Sequence, residues 1–412
     1  MAGSETPLAL LLLVALLVAL PLIAFIAGRL RLQYTVVMVV VGFVVSAIPL
    51  GGNVIEVSPE LAVTLLLPGL VFEAAYRLDG NELRRSSGGV ALLAVPGVLV
   101  CAGVVAIVLN LATGLALEEA FVVGAIVSAT DPVAVVATMR QLRAPTRLVT
   151  LIDAESLFND GTAVLVYAIA LGGLSGQISL AAGAVSFVVG IVASVAIGGV
   201  IGFAIAWLAG RTDDHLIELM LTLVAAYGTY VVADVVHQSG IIAVVVAGIV
   251  IGSYRHETLF TARARDAIDT VWEFLAFVLT GIAFLLIGIA ISLESLSSAI
   301  VYIAWGVVAV LVGRALVIYG LLGGSSAIGQ RLGFGLRIPN SWLHVINWTG
   351  LRGAVAMALA LSLPSDIPNR PLLQGTIFGI VLFTVIVQGT TAERVVHWAG
   401  VRPDGSVRPD GG

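Results

Sequence analysis

Apolar residues run along this chain in stretches of about 20, one after another, separated by short polar turns. At about 1.5 Å of rise per residue each stretch is long enough, as a helix, to cross a hydrocarbon core of about 30 Å. Thirteen can be read, near residues 7–28, 33–50, 59–78, 88–113, 119–139, 146–172, 180–210, 215–237, 240–254, 265–292, 297–324, 340–363 and 372–398. All are expected to be helical, because an open sheet leaves its edge amides unsatisfied in lipid. The predicted fold is therefore all-α and polytopic over residues 1–398, with 399–412 as a short cytoplasmic tail. The first run, Pro7 to Gly28, reads as a span and not as a signal peptide: Glu5 stands where a basic segment is expected, and the run is too long.

Composition agrees with this pattern. Of 412 residues 59% are hydrophobic and 11% charged, and the mean hydropathy of +1.10 makes the bilayer the solvent. Cys101 is the only cysteine, which excludes an intramolecular disulfide and a cysteine-rich metal site. The net charge of -5 says little by itself, since the charges lie in short loops or inside spans.

Their placement says more. Every basic residue other than histidine is arginine, and cytoplasmic loops retain such residues near the membrane. Loops after odd-numbered spans, with the tail, hold Arg29, Arg31, Arg77, Arg84, Arg85, Arg140, Arg143, Arg147, Arg211, Arg255, Arg263, Arg265, Arg331, Arg337, Arg394, Arg402 and Arg408. The opposite loops hold only Arg370, so the N-terminus is expected outside and the C-terminus in the cytoplasm. Arg314 and Arg352 remain, both near the middle of spans. No loop is long enough for a soluble catalytic domain, which confines function to the membrane.

Two spans are interrupted. The fifth carries Thr130-Asp131-Pro132 at its centre and the twelfth carries Gly350-Leu351-Arg352-Gly353. With the seventh span set apart, each is the fifth member of a group of six. That predicts two inverted six-helix repeats whose broken helices cross at the midplane, an arrangement that builds ion sites.

An ionised side chain at mid-bilayer costs at least about 2.5 kcal/mol, so each one marks a candidate site. Asp131 lies in span five, Glu155 and Asp160 in span six, and Glu73 in span three. On a helix Ser156 and Asp160 share one face, and Glu155 and Asn159 the next, because each pair is spaced i, i+4. Pro132 cannot donate a backbone bond and obstructs the preceding turn, leaving carbonyls near Ala129 and Thr130 free. Asp131, Asp160, the Ser156 hydroxyl and the Thr130 carbonyl offer oxygens suited to Na+, with Glu73 or waters to complete the shell. Two carboxylates in a poorly solvated space also favour proton binding, so cation and proton compete. Such competition is the minimum chemistry of an antiporter. Glu155 and Arg314 fall at similar depths and are expected to pair structurally, while Arg352 offsets helix-end dipoles and buried carboxylates.

The segments Ser128-Ala-Thr-Asp-Pro-Val-Ala-Val135, Glu155-Ser-Leu-Phe-Asn-Asp-Gly161 and Gly350-Leu-Arg-Gly-Ala-Val355 together resemble the Na+/H+ exchanger family of monovalent cation:proton antiporters. The resemblance spans nearly the whole chain. It implies Asp160 as the central ion-binding and proton-carrying residue, with Asp131, Ser156, the Thr130 carbonyl and Glu73 contributing. It implies a structural pair between Glu155 and an arginine of span eleven, which is Arg314. It further implies electroneutral exchange, because Asn159 precedes Asp160 where electrogenic relatives have two acids; Asn159 would then organise the site. A homodimer in the plasma membrane is expected, with Na+ or Li+ and H+ as transported ions and no cofactor, enzymatic activity or nucleic-acid partner. The short tail is similar to that of prokaryotic members.

An intramembrane aspartyl protease also needs two membrane Asp residues, but the Gly-x-Gly-Asp signature is missing. A channel would expose a repeated filter instead of one titratable pocket. A sodium-coupled organic-anion symporter has no need of the Asn-Asp pair. Ligand type leaves Na+ and K+ both open, and Asp153 and Asp234 have no assignment by motif.

Overall fold

The computed structural model describes residues 5–30, 32–47, 62–174, 176, 180–254, 261–291, 293–332 and 338–401. Of the loop arginines, Arg31, Arg255, Arg337, Arg402 and Arg408 lie outside these residues, as does the tail from 402 onward. Among the described residues every regular element is a helix. In chain order the apolar units are α1 Leu17–Arg29, α2 Tyr34–Ser46, α3 Thr64–Tyr76 and α4 Gly80–Thr113. A broken unit follows, α5a Leu117–Ser128 and α5b Val133–Gln141. Next come α6 Thr146–Leu174, α7 Ala181–Ala209, α8 His215–Val235, α9 Gly240–Tyr254, α10 Arg263–Ala290 and α11 Ile300–Ile328. The second broken unit is α12a Asn340–Trp348 and α12b Ala354–Leu361, and α13 Arg370–Trp398 closes the series. Among the described residues these make thirteen units, with the two interruptions at Ala129–Pro132 and Thr349–Gly353.

The packing repeats between the halves. α2 lies along α10 as α9 lies along α3, and α4 contacts α6 as α11 contacts α13. Each of these pairs becomes the other when seven is added to or subtracted from its helix numbers. Seven crossings separate corresponding helices, so they run in opposite directions, as an inverted repeat requires. α7 stands outside the scheme and packs on α9 and α6.

Close approach is built from small residues, the means by which helices associate where lipid is as apolar as their side chains. Gly124 of α5a rests against the backbone of Ala102 on α4, where a Cβ would collide. Outward faces carry exposed Val185, Val188 and Val192 on α7, which suits contact with lipid.

Some helices extend beyond the apolar runs that announce them. α4 starts at Gly80, not near residue 88, because the Asp79 carboxylate accepts from the amides of Asn81 (2.9 Å) and Glu82 (3.0 Å) and holds a polar first turn helical. A short helix at Leu293–Ser298 also precedes α11. Widened π turns interrupt α4 at Leu93–Gly97, around Pro96, and α13 at Thr384–Gln388. The second supplies a contact to the site.

Candidate functional site

Both interruptions meet at Asp131. Ala129 leaves the helix in an extended conformation and Pro132 opens the next, so Thr130 and Asp131 have no helical partners for their backbone. The Asp131 amide donates instead to the carbonyl of Leu351, in the other break, at 2.8 Å. Its carboxylate faces two helix starts: Oδ1 accepts from the Val133 amide (3.2 Å) on α5b and Oδ2 from the Ala354 amide (3.3 Å) on α12b. A negative group suits both ends, where unpaired amides and the helix dipole present partial positive charge. Gly353 makes this possible, since a Cβ there would collide with the Asp131 carboxylate.

α6 supplies the opposing wall. Its buried side chains include Glu155, Ser156, Asn159 and Asp160, polar groups that only a specific set of partners can hold inside a bilayer. The Ser156 hydroxyl donates a short bond to the Thr130 carbonyl. Asn159 completes the clamp: its Oδ1 accepts from the Thr130 amide (3.2 Å) and its Nδ2 donates to the Thr130 hydroxyl (2.6 Å) and to Glu155 (3.4 Å). Two side chains of one helix thus fix a single non-helical residue, Ser156 at its carbonyl and Asn159 at its amide and hydroxyl. The i, i+4 faces read from sequence account for this, because they turn both polar stripes of α6 toward the break.

Asp160 is different. It is buried, its Oδ1 has no hydrogen-bond partner among the described residues, and the charges acting on it are those of Asp131, Glu155 and Arg352. A carboxylate oxygen left without a donor in a desolvated space calls for a proton or a cation.

Glu155 has a partner already. Arg314 of α11 grips both of its oxygens, Nη2 at 2.8 Å and Nη1 in a shorter bond, and Nη2 also donates to the Ile346 carbonyl (2.9 Å) at the end of α12a. This two-pronged contact is almost fully buried and ties α6, α11 and α12a together. Arg352 is also buried, at 1% exposure, but no carboxylate lies within ion-pair distance of it among the described residues. Its amide donates to Thr384 (3.0 Å) in the π turn of α13 and its Nη2 points to the Cys101 sulfur (3.8 Å). A small polar cavity bordered by Ser128, Glu155, Asn159 and Arg314 takes in Arg352 and Cys101.

Among the described residues Glu73 shares no hydrogen bond or ion pair with this group. Its carboxylate meets Arg77 on the same helix at 2.6 Å, and Arg77 also reaches Glu273 at 3.5 Å. Asp153 acquires a partner: Arg140, at the end of α5b, meets it at 2.9 Å. The sequence carries little sign of the Leu351 carbonyl, Gly353, Thr384 or Cys101 contacts, because each joins segments far apart in the chain. The one visible signal is the glycine on either side of Leu351-Arg352.

The chain has known relatives. The transmembrane family of sodium/hydrogen exchangers matches residues 12–398. A Na+/H+ antiporter of Aphanothece halophytica is 36% identical over 382 residues, 92% of this chain and 72% of that protein. A low-affinity Na+/H+ antiporter of Synechocystis is 39% identical over 368 residues, covering 89% of this chain and 69% of the relative. In fold, the sodium proton antiporter of Methanocaldococcus jannaschii superposes with a TM-score of 0.77 at 19% identity, covering 95% of this chain and 99% of that one. With thirteen helical units, two crossing breaks and this match over nearly its full length, the chain belongs to the sodium/hydrogen exchanger family of transmembrane transporters.

Proposed function

We propose that the protein is a secondary active Na+/H+ antiporter in which Na+ (or Li+) and H+ compete for Asp160. The observation that carries this reading is the buried Asp160 carboxylate, whose Oδ1 has no hydrogen-bond partner among the described residues, with the Ser156 hydroxyl on its own helix and Asp131 and the Thr130 carbonyl on the facing segment. Cation and proton each remove the same deficit, and neither leaves room for the other. The donors are all oxygen, as a hard cation prefers; the preference for Na+ over K+ comes from the relatives.

Ser156 donates to the Thr130 carbonyl, so an arriving cation takes both oxygens by turning the hydroxyl proton away. Glu73 joins the ion shell only after releasing Arg77. Asn159 organises the Thr130 segment and carries no proton, which supports one-for-one, electroneutral exchange. Glu155 and Arg314 keep the two halves in register. Rocking of one bundle against the other exposes the site alternately to each side. The arginine distribution supports an outside N-terminus and a cytoplasmic C-terminus in the cell membrane, and the family resemblance supports a homodimer.

Proteoliposomes carrying an imposed pH gradient test this directly. Na+ or Li+ added to one side should collapse the gradient with wild-type protein, and Asp160→Asn should abolish the response. Robust exchange by that variant would overturn the mechanism. The same assay with K+ decides the cation, and clamping the membrane potential decides electroneutrality.

A further inference from the structure

Arg140 lies at the far end of α5b from the Asp131 break, and Asp153 lies two turns before Asp160, toward the cytoplasmic end of α6. Asp153, Ser156 and Asp160 are spaced i, i+3, i+7 on α6 and therefore share one face, with Asp153 about 10 Å below Asp160 along the helix axis. Arg140 occupies the last turn of α5b, which begins at the Asp131 break. Their contact, 2.9 Å between Nη2 and Oδ2, spans the cleft between α5b and α6. Below it opens a cavity of about 370 Å3 lined by both residues and by Arg77, Asp79, Thr146 and Thr150. Glu73 lies within electrostatic reach of Arg140 and Asp153 and pairs with Arg77, which also reaches Glu273.

Two ion pairs on one helix thus differ in kind. Glu155 and Arg314 are joined by two bonds and sealed from solvent, with side-chain exposures of 2% and 8%. Arg140 meets Asp153 through one bond and its side chain is 50% exposed, so the pair is hydrated on one side and opens readily. An arginine there is a poor strut but an effective competitor for the carboxylate.

We propose that Asp153 is a staging site for the transported monovalent cation on its way from the cytoplasmic cavity to Asp160, and that Arg140 is the tethered competitor the cation must displace. The assignment rests on the antiporter reading. A cation leaving water exchanges hydration for Asp153 first and then, two turns higher on the same helix face, for the Asp160 group. Arg140 closes the carboxylate when no cation is present and swings into the cavity when one is.

The test is the apparent KM for Na+ applied to each face, measured as Na+-driven pH-gradient collapse in everted and right-side-out vesicles with transport normalised to folded protein. Arg140→Gln frees Asp153 and should lower the cytoplasmic-face KM roughly two- to five-fold, the range expected for one partly hydrated charge. Asp153→Asn should raise it by a similar factor, and the double variant should match Asp153→Asn. Arg140→Lys, which keeps the charge, should stay near wild type and guards against a folding defect in the glutamine variant. KM at the opposite face should not move. A merely structural pair predicts that both single variants shift in the same direction on both faces, and that result would overturn the proposal. Absence of Na+-driven exchange by the wild-type chain would instead defeat the antiporter reading itself.

Discussion

The amide of Asp131 donates to the carbonyl of Leu351 at 2.8 Å, and this single backbone bond joins two broken helices from opposite halves of the chain. It fixes the Asp131 carboxylate over the amides of Val133 and Ala354, so the same residue neutralises two helix starts while remaining within electrostatic reach of Asp160. Any side chain at Gly353 intrudes on that arrangement.

Gly353→Ala is therefore expected to damage transport more than stability. The added methyl meets the Cβ, Cγ and Oδ2 of Asp131, so relief requires the crossing itself to shift, an overpacking cost of about 1–3 kcal/mol. Initial rates of exchange should fall at least about tenfold, since a displaced ligand is punished far beyond its thermal cost. Gly103→Ala on α4, where a Cβ meets nothing within 4 Å, is the matched control and should behave as wild type.

The Glu155–Arg314 pair predicts the reverse balance. Glu155→Gln leaves a buried guanidinium without its counter-charge, and breaking such a pair costs about 3–5 kcal/mol. Detergent-solubilised protein should show a clearly lowered melting temperature. Replacing both residues by leucine and methionine should recover most of the loss, because apolar packing substitutes well for a buried ion pair. A double variant as unstable as the single one would indicate that Arg314 is needed for its bond to Ile346 and not for Glu155.

Apolar run length made the thirteen units legible, because in a bilayer the solvent itself imposes the period at which the chain must turn. Pro132 and the glycines around Leu351 marked the two breaks, and i, i+4 spacing turned Ser156 and Asp160 toward one of them. What no local pattern carried is how the breaks touch: Asp131 and Leu351 are 220 residues apart, and a backbone bond leaves no trace in side-chain identity. The polar start of α4 was hidden for a different reason. Its residues look like loop to a hydropathy scan, and only the Asp79 cap makes them helical. Asp153 had no motif because its partner Arg140 belongs to another helix, and Glu73 was ambiguous because Arg77 sits one turn away.

Asn159 offers a prediction that separates geometry from analogy. The family resemblance implies an acid at this position in electrogenic members, and by that analogy Asn159→Asp changes stoichiometry alone. Here the amide Nδ2 donates to the Thr130 hydroxyl and to Glu155. An aspartate has no donor to offer and adds a third carboxylate beside Glu155 and Asp160. The expected outcome is slow exchange that remains insensitive to membrane potential. Rapid exchange accelerated by an imposed potential would show that the clamp on Thr130 is dispensable.

The proposed competition at Asp160 fixes how transport must depend on pH. Protonation removes the negative charge the cation needs, so lowering the pH raises the apparent KM for Na+. For one proton against one cation, the limiting change on the acid side is about tenfold per pH unit. The maximal rate at saturating Na+ should stay nearly constant over the same range, because enough cation displaces the proton. Measuring initial rates against Na+ concentration at several pH values distinguishes this from a remote pH sensor. A sensor acting away from Asp160 would lower the maximal rate on acidification and leave KM where it was; competition at one carboxylate moves KM and spares the maximum.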